Sequence, residues 1–532
     1  MIVARNSERF DVVVVGGGGS GLSAAVEAAR LGRRVVLLEK GAALGGSTER
    51  SVGSVTATST PPQIRAGIVD SPDDHFEDLA LFSGPLAPRD NPALRRLLVD
   101  NVPDTFRWLI ALGVEFLGPM PERPHRRSRM HTVLPSSRSF IYHLAREARR
   151  AGVELRLGVA ARQLLVRGKR IVGVEADANG QTCRFEANGA VVLATGDFGG
   201  SAEMKAQYVS ADAALVDAVN PLNTGDGHRM ALELGGEIVN ADLIHGPEIR
   251  FVPPRRAPLI ARLPPVRSLA RAIRTAFEML PMRLMRPFLM GFLTTVLAPS
   301  RTLFEAGAVL VNAHGARCGA TGEPLGIGIA KQPGKIGYIV FDARIAALFS
   351  SWPNFISTAP GIAYAYLDDY RHSRPDLFHK ADTVSELARA LGMAESELTA
   401  ATASLGTGPY YALGPVSSYI IFTDGGLRVN ARLQVLRRDG SPIDGLYAAG
   451  AAGQGGLLLE GHGHHLGWAF TSGRIAGRHA ALHVTSPADV PAISNTAPSP
   501  ANETPQRAAR VENPRATRSS FDSSHRGASA HG

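Results

Sequence analysis

Three glycines near the start of the chain have the spacing of a phosphate-binding turn. Gly16, Gly18 and Gly21 stand in the run GGGGSG. In such a turn the first glycine permits a tight bend, the second lets the backbone approach a pyrophosphate, and the third lets a helix pack closely on a strand. Glu39 follows at the distance where a carboxylate accepts hydrogen bonds from ribose hydroxyls, and its charge disfavours a 2′-phosphate. These residues predict a dinucleotide site.

The elements around the turn make this motif specific. DVVVV at 11–15 is typical of a buried parallel strand, the alanine-rich run 21–31 of a helix, and RVVLL at 34–38 of a second strand. A helix that begins in the glycine turn presents free N–H groups and its positive dipole end to an anion. The three elements predict a βαβ unit, in which either NAD or FAD could bind.

Length and composition limit the class of protein. A chain of 532 residues is too long for one ordinary core, which predicts two domains. The net charge of +9 comes from arginines scattered among apolar residues, so nucleic acid is not an expected partner. Only Cys183 and Cys318 are present, which excludes a disulfide framework and a cysteine zinc cluster. Without a recognisable export signal or spanning segment, we expect a cytoplasmic protein.

Between about residues 10 and 480 the chain carries further motifs, each of which occurs once. They are LEKGAALGGST (38–48), AVVLATGDFGG (190–200), NTGDGHRMALELGGE (223–237), LVNAHGARC (310–318) and DGLYAAGAAG (444–453). With these motifs the chain resembles the flavoprotein superfamily that contains fumarate reductase, succinate dehydrogenase and the 3-ketosteroid dehydrogenases. The resemblance implies that the dinucleotide is FAD.

The resemblance also implies an α/β fold with two domains. A Rossmann-type FAD-binding domain, with a mixed parallel sheet and three-layer ββα features, would comprise residues 1–213 and 423–484. An inserted α+β capping domain would span 214–422 and carry a basic amphipathic insertion at 250–301. The composition after Val484 predicts a disordered tail, 485–532. The active site is expected where the cap meets the flavin.

The family's FAD contacts can be carried over residue by residue. They fall on Gly16, Gly18, Gly21, Glu39, Lys40, Gly45, Gly46, Ser47, Thr48, Gly53, Thr195, Gly196 and Gly450. Gly463, His465 and Leu466 stand at the start of the last helix, whose positive dipole end would face the flavin N1 and O2. Since no histidine stands near Ser47, where some members attach the cofactor covalently, we expect noncovalent FAD.

Members of the superfamily pass a hydride between flavin N5 and a substrate carbon while a protein group handles a proton. Asp226 and Arg229 match the acid and arginine in the proton path of the dicarboxylate reductases. Their i, i+3 spacing places both on one helix face. A pair that only stabilises the helix explains the spacing equally well.

Other positions depart from both subfamilies. The proton-donating arginine of the dicarboxylate enzymes is missing, and Glu323 is the nearest ionisable residue. Ile421 replaces a carboxylate-binding histidine, while Glu460 replaces an arginine clamp and would repel a carboxylate. Fumarate and succinate are therefore not expected substrates. The tyrosines of the ketosteroid enzymes are replaced by Leu325 and Leu459.

The ionisable groups that remain near the expected flavin face lie in GLLLEGHGHHLGW. Glu460, His462 and His464 are therefore the acid–base candidates, beside Asp226 and Arg229. The histidines could instead hydrogen-bond the flavin or one another. A metal ion is not expected, because side chains on a tight glycine turn diverge. We expect a solvated basic loop from a nearby polar stretch: Arg126, Arg127, Arg129 and His131.

The basic insertion bears on the substrate. Leu269, Ile273, Phe277 and Leu280 recur at helical spacing with arginines at the margins. Such a helix could contact a membrane surface through residues 255–300, form a lid over a lipophilic substrate, or pack against its own cap. The run Leu457 to Leu459 also favours an apolar substrate.

The predicted function is an FAD-dependent CH–CH dehydrogenase or ene-reductase that acts on a small apolar, ketone- or steroid-like molecule, with an unidentified external electron donor or acceptor. One alternative is a flavin oxidase that acts on C–N or C–O bonds. The other is a catalytically degenerate FAD-binding protein at a membrane.

Overall fold

The structure is a computed structural model that describes residues 7–254, 262–281, 284–286, 290–291, 293–294, 297–319, 322–359 and 363–483. The predicted tail lies outside the described residues, as do parts of the basic insertion. Within the described ranges, no helix is long and apolar enough to cross a membrane.

The first domain is built on an eight-stranded sheet. From one edge to the other its strands are Gln434–Leu436, Pro442–Ala448, Arg170–Ala178, Gln181–Leu193, Ser7–Val15, Val35–Glu39 and Glu154–Leu157, and Val159–Arg167 pairs with Arg170–Ala178. Ser7–Val15 runs parallel to both of its neighbours. Its run of valines is buried on both faces, as is usual for a central parallel strand.

Two helices pack face to face beside this sheet. Gly19–Arg30 and His464–Leu482 approach closely because the second helix carries glycines at the contact. A Cβ atom on Gly473 would lie 2.3 Å from the carbonyl oxygen of Ser20, and one on Gly477 would lie 2.2 Å from that of Ala24. The end of the chain is thus tied to the glycine turn at its beginning.

The cap has its own sheet and its own apolar core. Its strands, from one edge to the other, are Asp217–Ala218, Tyr410–Ile420, Ile336–Phe341 and Val309–Asn312, with Glu248–Phe251 and Phe378–Ala381 also paired to Tyr410–Ile420. Its helices are Arg267–Met279, Arg301–Glu305, Leu325–Ala330, Ala343–Leu348, Leu367–Ser373, Val384–Leu391 and Glu395–Ala401. A cluster that includes Phe341, Phe349 and Leu413 fills the core.

Short strand pairs join the two domains or complete one of them. Ile244–His245 pairs with Phe422–Thr423, Ile238–Val239 with Gly426–Leu427, and Ser357–Ala359 with Ala363–Ala365; a three-stranded sheet joins Ser54–Thr56, Met130–Leu134 and Glu115–Met120. The remaining helices are Gly46–Arg50, Pro61–Arg65, Pro72–Phe82, Pro92–Leu112, Arg138–Arg150, Ala202–Tyr208, Ala211–Leu215 and Asp226–Leu232.

The amphipathic helix of the insertion spans Arg267–Met279 and packs against the strand Glu115–Met120. Three of its arginines, at 267, 271 and 274, contact the carboxylate of Glu115 at 2.9, 2.9 and 2.6 Å. The arginines lie at the margins of the helix and are partly exposed, and these three also neutralise a carboxylate that is almost completely buried. Membrane contact stays a prediction.

Candidate functional site

A cavity of 1510 Å³ lies at the carboxyl ends of the central strands. Residues of the glycine turn line one end, and residues of the cap line the other. Open α/β sheets bind ligands at this edge because the loops and helix N-termini that follow parallel strands converge there. The cavity is therefore the candidate site for both the dinucleotide and the substrate.

The glycines of the turn serve different purposes. Gly16 has φ of +109°, and a Cβ atom there would lie 2.2 Å from the carbonyl oxygen of Ala194. A Cβ atom on Gly21 would lie 1.9 Å from the carbonyl oxygen of Gly16. Gly18 has an ordinary φ of −82°, and a Cβ atom there would meet only the Gly45 carbonyl oxygen at 3.8 Å. Because the protein itself does not require glycine at 18, the open space there fits a ligand phosphate.

Glu39 is held in place at the end of its strand. Its carboxylate accepts hydrogen bonds from the backbone N–H groups of Gly17, at 2.7 Å, and Gly41, at 2.6 Å. Both bonds orient the carboxylate at the wall of the cavity. A carboxylate held in this way can accept hydrogen bonds from ribose hydroxyls.

Asp226 lies beside Lys40, the residue that follows Glu39. The Lys40 ammonium donates to Asp226 at 2.6 Å and to Thr224 at 2.6 Å, and Arg229 contacts Asp226 at 3.2 Å. Burial raises the pKa of Asp226, but the hydrogen bond and charge of Lys40 outweigh it and hold that pKa below its ordinary value. Asp226 therefore stays ionised next to the ribose end of the cavity. This placement favours a structural ion pair over a proton path.

The middle of the cavity carries a polar network that includes Asp197 and Asn223, which stand in two of the sequence motifs but were not among the predicted site residues. Ser47 accepts hydrogen bonds from Asn220 and Asn223, and Asn223 also donates to Asp197 at 2.8 Å. Burial raises the pKa of Asp197 to about 6. The hydroxyl of Thr195 is buried without a hydrogen-bond partner among the described residues, so this region has polar capacity for a ligand.

At the cap end, two imidazoles flank one aromatic ring. The ring of His245 stacks on Phe422 with centroids 4.8 Å apart, and the ring of His465 lies 4.0 Å from Phe422. His245, Glu460 and His465 all line the cavity. The Nε2 atom of His465 is buried and has no hydrogen-bond partner within the described part of the chain. Burial lowers the pKa of His245, so this imidazole is neutral at pH 7. His245 was not predicted from the sequence because it lies on a two-residue strand without a recognisable motif.

The other two predicted histidines lie in different surroundings. His462 is at the rim of the cavity, where its Nδ1 lies 2.5 Å from Glu122. Burial lowers the pKa of His462, but the hydrogen bond and charge of Glu122 raise it above the ordinary value. His464 is fully buried behind the cavity wall and faces His75 and His125. We therefore do not propose His464 as an acid or base for substrate.

Several other sequence expectations need correction. Leu457 and Leu458 are buried without lining the cavity, whereas Leu459 lines it. The prediction of a solvated basic loop was wrong for two residues. Arg129 is fully buried between the carboxylates of Asp70 and Asp78, and His131 is buried against Thr60. Arg126 and Arg127 are exposed as expected, and Arg126 has Asp74, Glu77 and Asp78 as partners.

Comparison with known proteins decides the cofactor. Residues 11–259 and 300–458 match the family model described as FAD binding domain. The chain belongs to this FAD-binding family. It is 27% identical to the probable fumarate reductase of Shewanella frigidimarina over 91% of this chain and 76% of that protein. It is also 27% identical to the vinyl phenol reductase of Lactiplantibacillus plantarum, over 90% of this chain and 97% of that protein.

The fold agrees with the family. The open conformation of a flavocytochrome c3 fumarate reductase matches with a TM-score of 0.68 and 25% identity, over 90% of this chain and 79% of that chain. The expected superfamily, the Rossmann-type fold with a cap and the FAD cofactor are therefore confirmed. The protein is an FAD-dependent oxidoreductase.

Most of the predicted FAD contacts line the cavity. They are Gly16, Gly18, Glu39, Lys40, Gly46, Ser47, Thr48, Gly53, Thr195, Gly196, Gly450, Gly463, His465 and Leu466. Gly21 and Gly45 lie just behind the wall, where they shape the backbone. Among the predicted catalytic residues, Asp226, Glu460 and His462 line the cavity, while Arg229 and His464 do not.

Buried histidines make the stability of the fold sensitive to acid. Burial lowers the pKa of four of them to about 4: His125, His131, His143 and His228. In the unfolded chain each protonates near pH 6.5. Their contribution to stability is therefore complete above about pH 6.5 and is lost as the pH falls toward 4. We expect the free energy of unfolding to drop by several kcal/mol over this interval, at up to about 1.4 kcal/mol per histidine and pH unit.

Thermal unfolding at constant ionic strength measures this dependence. His131→Gln should be less stable than the parent at pH 7.5 yet show a shallower decline in acid. An identical slope in parent and variant would contradict the assignment of His131.

Proposed function

We propose that the protein transfers hydride between FAD and a carbon–carbon double bond of an apolar, ring-bearing substrate, such as a ketone- or steroid-like enone or an aryl alkene. The observation that carries the proposal is the aromatic lining of the cap end. Phe355 and Tyr364 line the cavity there, together with Trp352, which is 63% exposed. Tyr364 lies 5.0 Å from Trp352 and 5.0 Å from Phe355, measured between ring centroids. Such a wall favours planar apolar rings.

The charged groups near these rings argue against a small dicarboxylate. Arg250 lines the cavity, but Glu248 already occupies its guanidinium at 2.7 Å. Glu460 stands at the turn before the last helix, where its carboxyl group offers a carboxylate substrate no opposite charge. An uncharged substrate needs neither a free guanidinium nor a positive charge at position 460.

The names of the two relatives support reduction of a double bond. Fumarate and vinyl phenol share an alkene, while vinyl phenol also has an aromatic ring and no carboxylate. The second compound matches the aromatic end of this cavity better than the first.

Residues at the cap end would exclude water and handle the proton. Bound FAD supplies the hydride chemistry. Phe422 and Leu459 provide apolar surface that excludes water from the reacting carbons. Glu460, His465 and His245 are the ionisable groups that can hold or deliver the proton for the neighbouring carbon. We propose Glu460 for this role because the two imidazoles are packed against Phe422, whereas Glu460 lines the cavity at the turn before the last helix.

Removing an aromatic side chain from the cap end should weaken binding of a ring-bearing substrate. Phe355→Ala is expected to raise KM for such an alkene about 10-fold or more, as expected for the loss of ~1.5–3 kcal/mol of apolar burial. The value of kcat should change little, because Phe355 is proposed only to contact the rings of the substrate and is not among the groups that handle the proton. Steady-state kinetics with a ring-bearing and a ringless alkene measures the difference.

Phe378→Ala is the matched control, since Phe378 packs on the cap core and does not line the cavity. Equal effects of the two substitutions on KM would contradict the assigned substrate end.

A further inference from the structure

Three buried histidines meet outside the cavity. His75 lies on the helix Pro72–Phe82, His125 precedes the strand Met130–Leu134, and His464 begins the last helix. All three are buried, with exposures of 0%, 8% and 0%. Their ligating nitrogen atoms lie within 4.8 Å of one another. None of the three lines the cavity.

We propose that His75, His125 and His464 bind one zinc ion. The Nε2 atom of His464 lies 3.2 Å from Nε2 of His125 and 3.5 Å from Nε2 of His75. Zinc bound tetrahedrally at ~2.0–2.1 Å from each nitrogen places its ligands ~3.3–3.4 Å apart. Three imidazoles with no sulfur ligand suit zinc or a similar divalent transition metal.

The outer contact of His464 fits this role. The Nδ1 atom of His464 donates to the carbonyl oxygen of Glu460 at 2.5 Å. This bond leaves the lone pair of His464 on Nε2, toward the other two rings, as in metal sites whose second nitrogen is fixed by a carbonyl. The Nδ1 atom of His75 has no hydrogen-bond partner among the described residues, so no contact of Nδ1 fixes the tautomer of this imidazole.

The charges behind the histidines favour a cation. Arg129 is buried with two carboxylates, Asp70 and Asp78. Arg126 also contacts Asp78, but it is shared with two further acids at the surface, Asp74 and Glu77. The charged groups that act on the three imidazoles include the carboxylates of Asp70, Asp78 and Glu122 and the guanidinium groups of Arg129 and Arg96. A divalent ion on neutral histidines offsets the small negative excess of this set.

One contact must change when the metal binds. Arg129 donates to Nδ1 of His125 at 2.9 Å, which places the His125 proton on Nε2. The proton must leave Nε2 for His125 to bind zinc, and the hydrogen bond from Arg129 is lost if it moves to Nδ1. Arg129 keeps its ion pairs with Asp70 and Asp78. His125 is thus the weakest of the three ligands.

A zinc ion there would link the helix Pro72–Phe82 and the loop before Arg129 to the start of the last helix. It would thereby hold the turn 460–465, which lines the cavity. This role is structural and independent of the proposed substrate. Zinc content can therefore be measured without any turnover.

The test uses the full FAD-loaded chain with a histidine-free affinity tag. The protein is incubated with Zn²⁺, freed of loose metal by dialysis, and analysed by mass spectrometry for zinc relative to FAD. We expect about one zinc per chain in the parent and at least ~10-fold less in His75→Gln. His143→Gln removes another buried histidine, remote from the cluster, and should retain the metal.

Thermal unfolding with and without a chelator provides a second measurement on the parent itself. Chelation should lower Tm, because an ion bound only to the folded state stabilises it. Less than about one tenth zinc per chain in the parent, with Tm unchanged by chelator, would overturn the proposal. Equal zinc in the parent and His75→Gln would also overturn it.

Discussion

Gly18→Ala should leave the protein folded but reduce its affinity for FAD about 100-fold or more, as the loss of close backbone–phosphate approach implies. The backbone at 18 has an ordinary φ, and a methyl group there meets protein only at 3.8 Å. The fold can therefore accept alanine. The added methyl group faces the cavity end where the helix N-terminus receives the pyrophosphate. Titration of the apoprotein with FAD, followed by flavin fluorescence, measures the affinity.

Two further substitutions serve as controls for this prediction. Gly291 also has an ordinary φ and open space where a methyl group would stand, but it lies in the cap outside the cavity lining. Gly291→Ala should therefore bind FAD like the parent. Gly21→Ala should lower the stability of the apoprotein itself, because its Cβ atom would collide with the carbonyl of Gly16. Unchanged FAD affinity in Gly18→Ala would contradict the assignment of the phosphate position.

Glu460→Gln should lower kcat for alkene reduction by about 10²–10⁴-fold, the usual range for loss of a general acid. The amide keeps the size and hydrogen-bonding reach of the side chain but cannot deliver a proton. FAD content and KM should stay near the parent values. Stopped-flow mixing of the reduced protein with substrate isolates this step from binding and from earlier reduction of the flavin.

Glu323→Gln is the matched control for that substitution. Glu323 is the nearest ionisable residue to the sequence position of the missing arginine, but it contacts Lys331 in the cap and does not line the cavity. Its loss should leave the rate within about threefold, as is usual when a residue outside the site is changed. If Glu323→Gln were the slower of the two variants, the proton donor would have to be sought on the cap.

The cofactor half of this site was predictable because its requirements are local in the sequence. Gly16, Gly18 and Gly21 act through backbone geometry within one turn, and Glu39 lies at the end of the adjacent strand. A short segment with strand, glycine spacing and helix therefore contains most of the information. The predicted element boundaries were correct to within a few residues for the same reason: the first strand extends to Ser7–Val15 and the first helix begins at Gly19.

The substrate half depends on contacts between distant segments. His245 reaches Phe422 through pairing of two-residue strands, which leave no periodic pattern in the sequence. His464 stands two residues from His462 in the chain, yet one is buried among histidines and the other is at the rim. A left-handed Gly463 lies between them, with φ of +89°, and turns the chain into the last helix. Neither its effect on side-chain direction nor the meeting of His464 with His75 could be inferred from spacing.

Charge patterns were misleading where the opposing charges lay far away in the sequence. Arg129 was expected in solvent because its neighbours are basic, but Asp70 and Asp78 come from an earlier segment. Arg267 lies at the margin of its helix and is 40% exposed, but its partner Glu115 comes from the first domain. Such ion pairs are recognisable only when the fold brings the distant carboxylates to the arginines.

The most direct test of the proposed function is reoxidation of the reduced flavin by an alkene without oxygen. The protein is reduced with dithionite, freed of excess reductant, and mixed anaerobically with a ring-bearing enone or a vinyl phenol, and flavin absorbance is followed. We predict recovery of the oxidised spectrum with one saturated product formed per flavin, and much slower recovery with fumarate. Failure of every ring-bearing alkene, with rapid recovery on admission of air, would contradict the proposal and favour an oxidase.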